Sequence, residues 1–134
     1  MPDERPPDWD WVKAIGTCKA TVMFGTLKTL AKQNVDTRNA QLETARFLFM
    51  EPDGITFTVN RPIPADRYAN QIIFKVTDDL SRISVGWARG YRQPTEEFYE
   101  VGLDDAGTCK LRREGNYYDP WQVLKAVLEP LLFG

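Results

Sequence analysis

The stretch Gln71-Ile72-Ile73-Phe74-Lys75-Val76-Thr77-Asp78-Asp79-Leu80-Ser81-Arg82-Ile83-Ser84-Val85-Gly86-Trp87 decides the fold. Two runs rich in β-branched and aromatic residues flank a cluster of turn formers, the pattern of a β-hairpin. A turn at Asp78-Asp79-Leu80-Ser81 sets Val76 opposite Ile83, Phe74 opposite Val85 and Ile72 opposite Trp87. One face is then dry and the other wetter, because side chains alternate across a strand.

Working outward, the same logic gives a hairpin on each side. Toward the N-terminus, Glu51-Pro52-Asp53-Gly54 offers two registers. A two-residue loop scatters Phe47 and Phe49 opposite Thr58 and Thr56. A three-residue loop, Pro52-Asp53-Gly54 with a left-handed Gly54, pairs Phe49 with Phe57 and Phe47 with Val59. Only the second collects the apolar residues on one face, so it is the expected register. Toward the C-terminus, Asp104-Asp105-Ala106-Gly107 with a bulge at Gly107 pairs Leu103 with Cys109 and Val101 with Leu111. It also sets Glu100 opposite Arg112, a cross-strand ion pair.

Strands are therefore expected at about 45–51, 54–60, 70–77, 82–89, 97–104 and 107–113. A helical pattern over about 17–39 places Ala20, Met23, Phe24, Leu27, Leu30 and Ala31 on one face. The closing helix starts at Asp119 as N-cap, with Pro120 next and Gln122 completing a capping box. Trp121, Leu124, Val127, Leu128 and Leu131 give it an apolar stripe, and Pro130 ends or bends it. The expected fold is α+β: a six-stranded antiparallel meander sheet flanked by an N-terminal and a C-terminal helix packed on one face. Residues 1–7 read as a disordered tail and 8–134 as a single domain.

Composition bounds the function. With 17 Lys and Arg against 19 Asp and Glu, the net charge is −2, a poor start for binding nucleic acid or an anionic membrane. No apolar run approaches the roughly 18 residues that a membrane span needs. The acidic, Pro-rich start Met1-Pro2-Asp3-Glu4-Arg5-Pro6-Pro7 is unlike a secretory signal, so the expected compartment is cytoplasmic. Cys18 and Cys109 match no metal spacing and read as reduced, buried thiols. A first helix as long as a strand brings them close together at the tight-turn end of the sheet, as near neighbours that are reduced in the cell yet bridgeable.

The chain has no histidine, which excludes Ser-His-Asp triads, Cys-His pairs and histidine metal sites. Gly86-Trp87-Ala88-Arg89-Gly90 lacks the spacing of a phosphate loop, and the Asp pairs read as turn formers. No metal and no cofactor is expected. In a meander, the longer connections 61–69, 90–96 and 114–118 gather at one end, away from the tight turns. Arg61, Arg67, Tyr68, Arg89, Tyr91, Arg92 and Tyr117 lie there, and together they are the expected ligand-binding set. The N-terminus of the last helix is expected to open beside them.

The leading expectation is a non-enzymatic cytoplasmic binding domain that engages a protein or a small anionic ligand at its loop-rich end. One alternative is a small histidine-free enzyme using Arg, Tyr, Glu or Cys. Another is a weak nucleic-acid binder through a basic sheet face of Arg46, Lys75, Arg82, Lys110 and Arg112. Nucleic acid is disfavoured because nearly all the aromatics fall on the dry face, Phe98 excepted. Leu48 and Met50 fall on the wetter face of an edge strand, which suggests a homodimer through the edge of strand one.

Overall fold

A computed structural model describes residues 8–44, 47–61, 69–89 and 95–133, with backbone alone at 69–70 and 88–89. Residues 1–7, expected to be a disordered tail, lie outside this set. Two helices, α1 (Trp11–Thr17) and α2 (Ala20–Ala40), precede the strands β1 (Leu48–Asp53), β2 (Thr56–Asn60), β3 (Ala69–Val76), β4 (Arg82–Arg89), β5 (Thr95–Leu103), β6 (Cys109–Arg113) and β7 (Asn116–Tyr118). A final helix, α3 (Pro120–Phe133), closes the chain. The strands form one antiparallel sheet in sequence order, the meander expected, with seven strands instead of six.

The central hairpin has the expected register, with Val76 facing Ile83, Phe74 facing Val85 and Ile72 facing Trp87. The third hairpin follows suit, pairing Leu103 with Cys109 and Val101 with Leu111, and Gly107 takes the expected positive φ of 78°. Both dry faces meet α2, whose Ala20, Met23, Phe24, Leu27, Ala31 and Val35 are buried. Phe57 centres this core: its ring stacks on Phe74 at 4.6 Å and on Phe49 at 5.4 Å, with Phe24 of α2 tilted against it at 5.2 Å.

The first hairpin keeps the expected dry face but not the expected register. Phe49 stands opposite Val59, not Phe57, and Met50 opposite Thr58. The irregularity falls between Met50 and Asp53, so Glu51 and Pro52 together oppose Phe57. Proline has no N–H to give a ladder, and looping it out as a bulge avoids losing a bond. Gly54 therefore has no need of a left-handed conformation, and it does not adopt one. The two-residue offset leaves the side-chain parity intact, which is why Phe49 still reaches Phe57.

Strand β7 was not expected, and it changes the ends of the molecule. Arg113 faces Asn116 across a two-residue loop in which Glu114 (φ 53°) and Gly115 (φ 80°) both have positive φ, the mirror-image turn favoured in tight hairpins. The chain doubles back along β6, with Leu111 opposite Tyr118, and returns toward the tight-turn end before α3 begins. Asp119 is then close to Lys110, 3.7 Å away, and Lys110 also holds Asp104 of the third turn at 3.0 Å. Half of the expected capping box forms there, Gln122 Oε1 accepting from the Asp119 N–H at 2.7 Å, while the Gln122 N–H donates to the Asp119 main-chain carbonyl at 3.0 Å. Pro130 does not stop the helix, which runs on to Phe133 and buries Leu131 and Leu132.

Two further differences lie at the N-terminus. Asp10 caps a separate short helix by accepting from the Lys13 N–H at 3.0 Å, and α1 buries no residue of its own. Cys18, just beyond α1, is bonded to Cys109 at the start of β6, with Cα atoms 5.4 Å apart. The expected proximity is correct. The reduced state is corrected to a disulfide, which ties the α1–α2 junction to the sheet.

Candidate functional site

Among the described residues, the C-termini of α2 and α3 lie at the loop-rich end. Because β7 reverses the chain, α2 and α3 both run from the tight-turn end toward the longer connections, and both end there. The last carbonyls of a helix lack partners within the helix and carry its negative partial charge. Arg38 of α2 donates from Nε to the Leu132 carbonyl at 2.9 Å, and its guanidinium lies 4.1 Å from the centre of the Phe133 ring. Arg61 donates from Nη2 to the Leu131 carbonyl at 2.6 Å. The expected opening of the last helix's N-terminus at this end is thereby overturned.

Of the seven residues singled out for ligand binding, only Arg61 and Tyr117 have described side chains. Arg61 serves the end of α3. Arg67, Tyr68, Tyr91 and Arg92 lie outside the described residues, and Arg89 is described in its β4 backbone only. Tyr117 belongs to β7 and stands opposite Arg112, on the sheet face away from the helices. Tyr118 takes the opposite face and meets Tyr99 edge-on, with ring centres 6.3 Å apart. An anion arriving at the loop-rich end would meet the negative ends of two helices, with Arg61 already engaged.

The outer face of the sheet carries the other charges. Lys75 and Lys110 are paired with turn carboxylates, Asp78 at 3.9 Å and Asp104 at 3.0 Å. The Thr108 N–H above all, with Lys110 behind it, holds Asp104 below the usual carboxylate range, and the Asp104 contact raises Lys110. Arg46 lies outside the described residues. Arg82 of β4, Glu100 of β5, Arg112 of β6 and Tyr117 of β7 form one cross-strand row. The Arg82 guanidinium sits 4.6 Å from the centre of the Phe98 ring, and Arg112 5.8 Å from that of Tyr117. The expected Glu100–Arg112 register is present, but no ion pair closes between them among the described residues. A depression of about 440 Å³ lies over this row, lined also by Glu96, Glu97, Arg113 and Glu114.

At its margin, Arg113 Nη1 holds Glu97 Oε1 at 3.2 Å, and the Tyr99 hydroxyl donates to Glu97 Oε2 at 3.3 Å. Burial, reinforced by the Glu97 charge, pushes the Tyr99 phenol up to about 12. Tyr99 thus stays protonated across the neutral range and acts as a donor, which suits a fixed structural bond. Among the described residues, no group of three or more metal-ligating side chains comes together. No described helix is long and apolar enough to cross a membrane.

A larger groove, of about 640 Å³, runs between α2 and α3 on the side away from the sheet. Leu124, Leu128 and Leu132 form its floor, four residues apart along α3. Trp121 and Phe133 stand at its two ends, 58% and 61% exposed. The signal for this groove was present in the sequence. The apolar stripe of α3 begins at Trp121, which stays exposed on the stripe's flank while Leu124, Leu128 and Leu131 are buried.

The β1 edge offers less than its side chains suggest. Leu48 and Met50 are exposed, as expected. The bond from the Val76 N–H to the Ile55 carbonyl sets the ladder's alternation, so that Thr58 and Asn60 turn their main-chain groups toward Met50 and Leu48. Phe47 and Phe49 therefore point theirs outward. Asn39 covers those of Phe47, its Nδ2 donating to the carbonyl at 2.9 Å and its Oδ1 accepting from the N–H at 3.1 Å. Pro52 interrupts the other end, so only a short stretch near Phe49 stays open to strand addition.

Compared with known proteins, the chain matches no family model, no curated protein and no solved structure.

Proposed function

We propose that this chain is a non-enzymatic binding domain that seats an amphipathic helix of a partner protein in the groove between α2 and α3. The observation that carries the reading is the pair Trp121 and Phe133, large apolar side chains left exposed at the ends of a leucine-floored groove. Exposed aromatics around a preformed apolar trough supply anchor sites for a docked helix. From Trp121 to Phe133 the groove spans about 18 Å at 1.5 Å per residue, the length of roughly three helical turns. Asn34, Thr37, Arg38 and Gln41 on the α2 side, and Lys125 and Glu129 on the α3 side, supply a polar and charged rim. Selection from a library of helical peptides tests this. Selected peptides should share apolar residues at three- and four-residue spacing, and should bind Trp121→Ala and Phe133→Ala at least tenfold more weakly. Selected peptides that ignore both substitutions would remove the reading.

A homodimer is the second reading, favoured by exposed Leu48 and Met50 and disfavoured by the covered edge of β1. Sedimentation of Leu48→Ser beside the parent chain separates the two. The Cys18–Cys109 bond supports an oxidising environment over the reducing cytoplasm.

A further inference from the structure

The arginines with described side chains divide into two kinds. Arg38 and Arg61 donate to main-chain carbonyls, and Arg113 holds Glu97. Arg82 and Arg112 lie near the rings of Phe98 and Tyr117, as Arg38 lies on that of Phe133, but unlike Arg38 their guanidinium groups have no carbonyl or carboxylate partner among the described residues. A guanidinium resting on a ring uses its flat face and keeps its N–H edge directed outward. Neither guanidinium closes a hydrogen bond or an ion pair among the described residues, so the donors of both are available.

Carboxylates in the same depression are also left without a cation. Glu96, Phe98 and Glu100 follow one another along the outer face of β5, and Glu100 sits in the row between Arg82 and Arg112. No ion pair closes on Glu96 or Glu100 among the described residues. Neighbouring strands lie about 4.8 Å apart, so the Cα atoms of Arg82 and Arg112 are separated by roughly 10 Å. Ser84 and Gly86 of β4 present little bulk beside this row, and the space above amounts to about 440 Å³. Arg82 also feels Asp79 in the adjoining turn, while Arg112 faces only Glu100 and Tyr117 in its row.

The balance of charge selects the ligand class. Four glutamates and three arginines line the depression, so it has no positive field to draw in a simple anion or a nucleic-acid backbone. What it offers is unpaired donors and unpaired acceptors side by side, next to two aromatic rings. We propose that the outer face of β4 to β7 binds a small zwitterion of the α-amino-acid class. Its ammonium would lie against Glu96 or Glu100, and its carboxylate would take the N–H edge of Arg82 or Arg112, on the side turned away from the Glu100 carboxylate between them. This site is on the opposite side of the sheet from the helix groove and does not depend on it.

The test is a titration of the full chain with the free amino acids, followed by amide NMR and calorimetry. The matching amine without a carboxylate, the matching acid without an amine, and inorganic phosphate serve as controls. The expected result is saturable shifts on β4 to β7 with at least one amino acid, at least tenfold weaker with either half-molecule. Arg112→Gln should weaken binding at least tenfold with an unchanged melting temperature. Glu96→Gln with Glu100→Gln should weaken the amino acid but not the amine-free acid. Trp121→Ala should leave the binding intact. Absence of saturable binding by any amino acid, equal binding of phosphate, or unchanged affinity in Arg112→Gln would each overturn the proposal.

Discussion

Arg38 and Leu132 join the ends of the two long helices, guanidinium Nε to main-chain carbonyl at 2.9 Å. Leu131, the preceding residue, receives Arg61 in the same way at 2.6 Å. Two helices ending side by side place their negative ends together, and these cations offset that repulsion. A hydrogen bond from a charged donor contributes about 1.5–3 kcal/mol. Arg61→Ala and Arg38→Ala should each lower stability in urea by about 1–3 kcal/mol. An unchanged midpoint for Arg61→Ala would return that residue to the pool of ligand-binding candidates.

Phe74→Ala should cost on the order of 3–5 kcal/mol, because it empties the position on which the Phe57 ring stacks at 4.6 Å. The same truncation at exposed Phe98 should change the urea midpoint little. Equal losses at the two positions would mean that the outer face is also covered.

Much of the sheet was legible because its turns and its alternation agreed. Asp78 to Ser81 and Asp104 to Gly107 fix the second and third hairpins, the one local conflict being Leu80 at its positive φ. The first hairpin misled at Pro52, where the missing N–H outranks the preference of Gly54 for a left-handed turn. Strand β7 was missed because three residues show no periodicity, and because Glu114 is an unusual occupant of a position with positive φ. That omission propagated. Without the reversal at Glu114-Gly115, the last helix starts at the wrong end, and an arginine cluster that looks like an anion receptor is placed beside the wrong helix terminus. Tyr117 moved for the same reason, from a loop wall to the outer sheet face.

Leu80 is a second residue held at positive φ, 62°, in an exposed turn. A side chain in the left-handed region costs roughly 1–2 kcal/mol, most of which glycine avoids. Leu80→Gly should therefore raise stability, by about 0.5–1 kcal/mol after glycine's own entropic cost. Thermal unfolding checks it, and a destabilised variant would mean that Leu80 packs against something in the native state.

The disulfide closes a loop of 91 residues between Cys18 and Cys109. Removing it as the double Cys18→Ser, Cys109→Ser variant should cost roughly 2–5 kcal/mol, as for native disulfides generally. Since α1 buries no residue of its own, its amides should lose protection first, and hydrogen exchange should show this before any global change. Uniform loss of protection would instead make α1 part of the same cooperative unit as the sheet.

Asp79 gives the acid-side prediction. Its carboxyl oxygen accepts from the Thr77 hydroxyl at 2.7 Å, from the Ser81 hydroxyl at 2.7 Å and from the Ser81 N–H at 3.1 Å. These bonds favour the charged form, Thr77 most and Ser81 next, and hold the group down at about 2. In the unfolded chain an aspartate titrates near 4, so above that value the folded state gains from a carboxylate that is ionised in both states and hydrogen-bonded only in one. As pH falls from about 4 to about 2, the unfolded chain takes up the proton first and this gain is lost. Carbon-detected NMR titration should place the Asp79 midpoint at about 2, and Thr77→Val should move it up toward the ordinary aspartate value. The same substitution should flatten the fall of stability between pH 4 and pH 2. A midpoint near 4 in the parent chain would show that the turn does not hold its bonds in solution, and with them would go the geometry that fixes the register of the central hairpin.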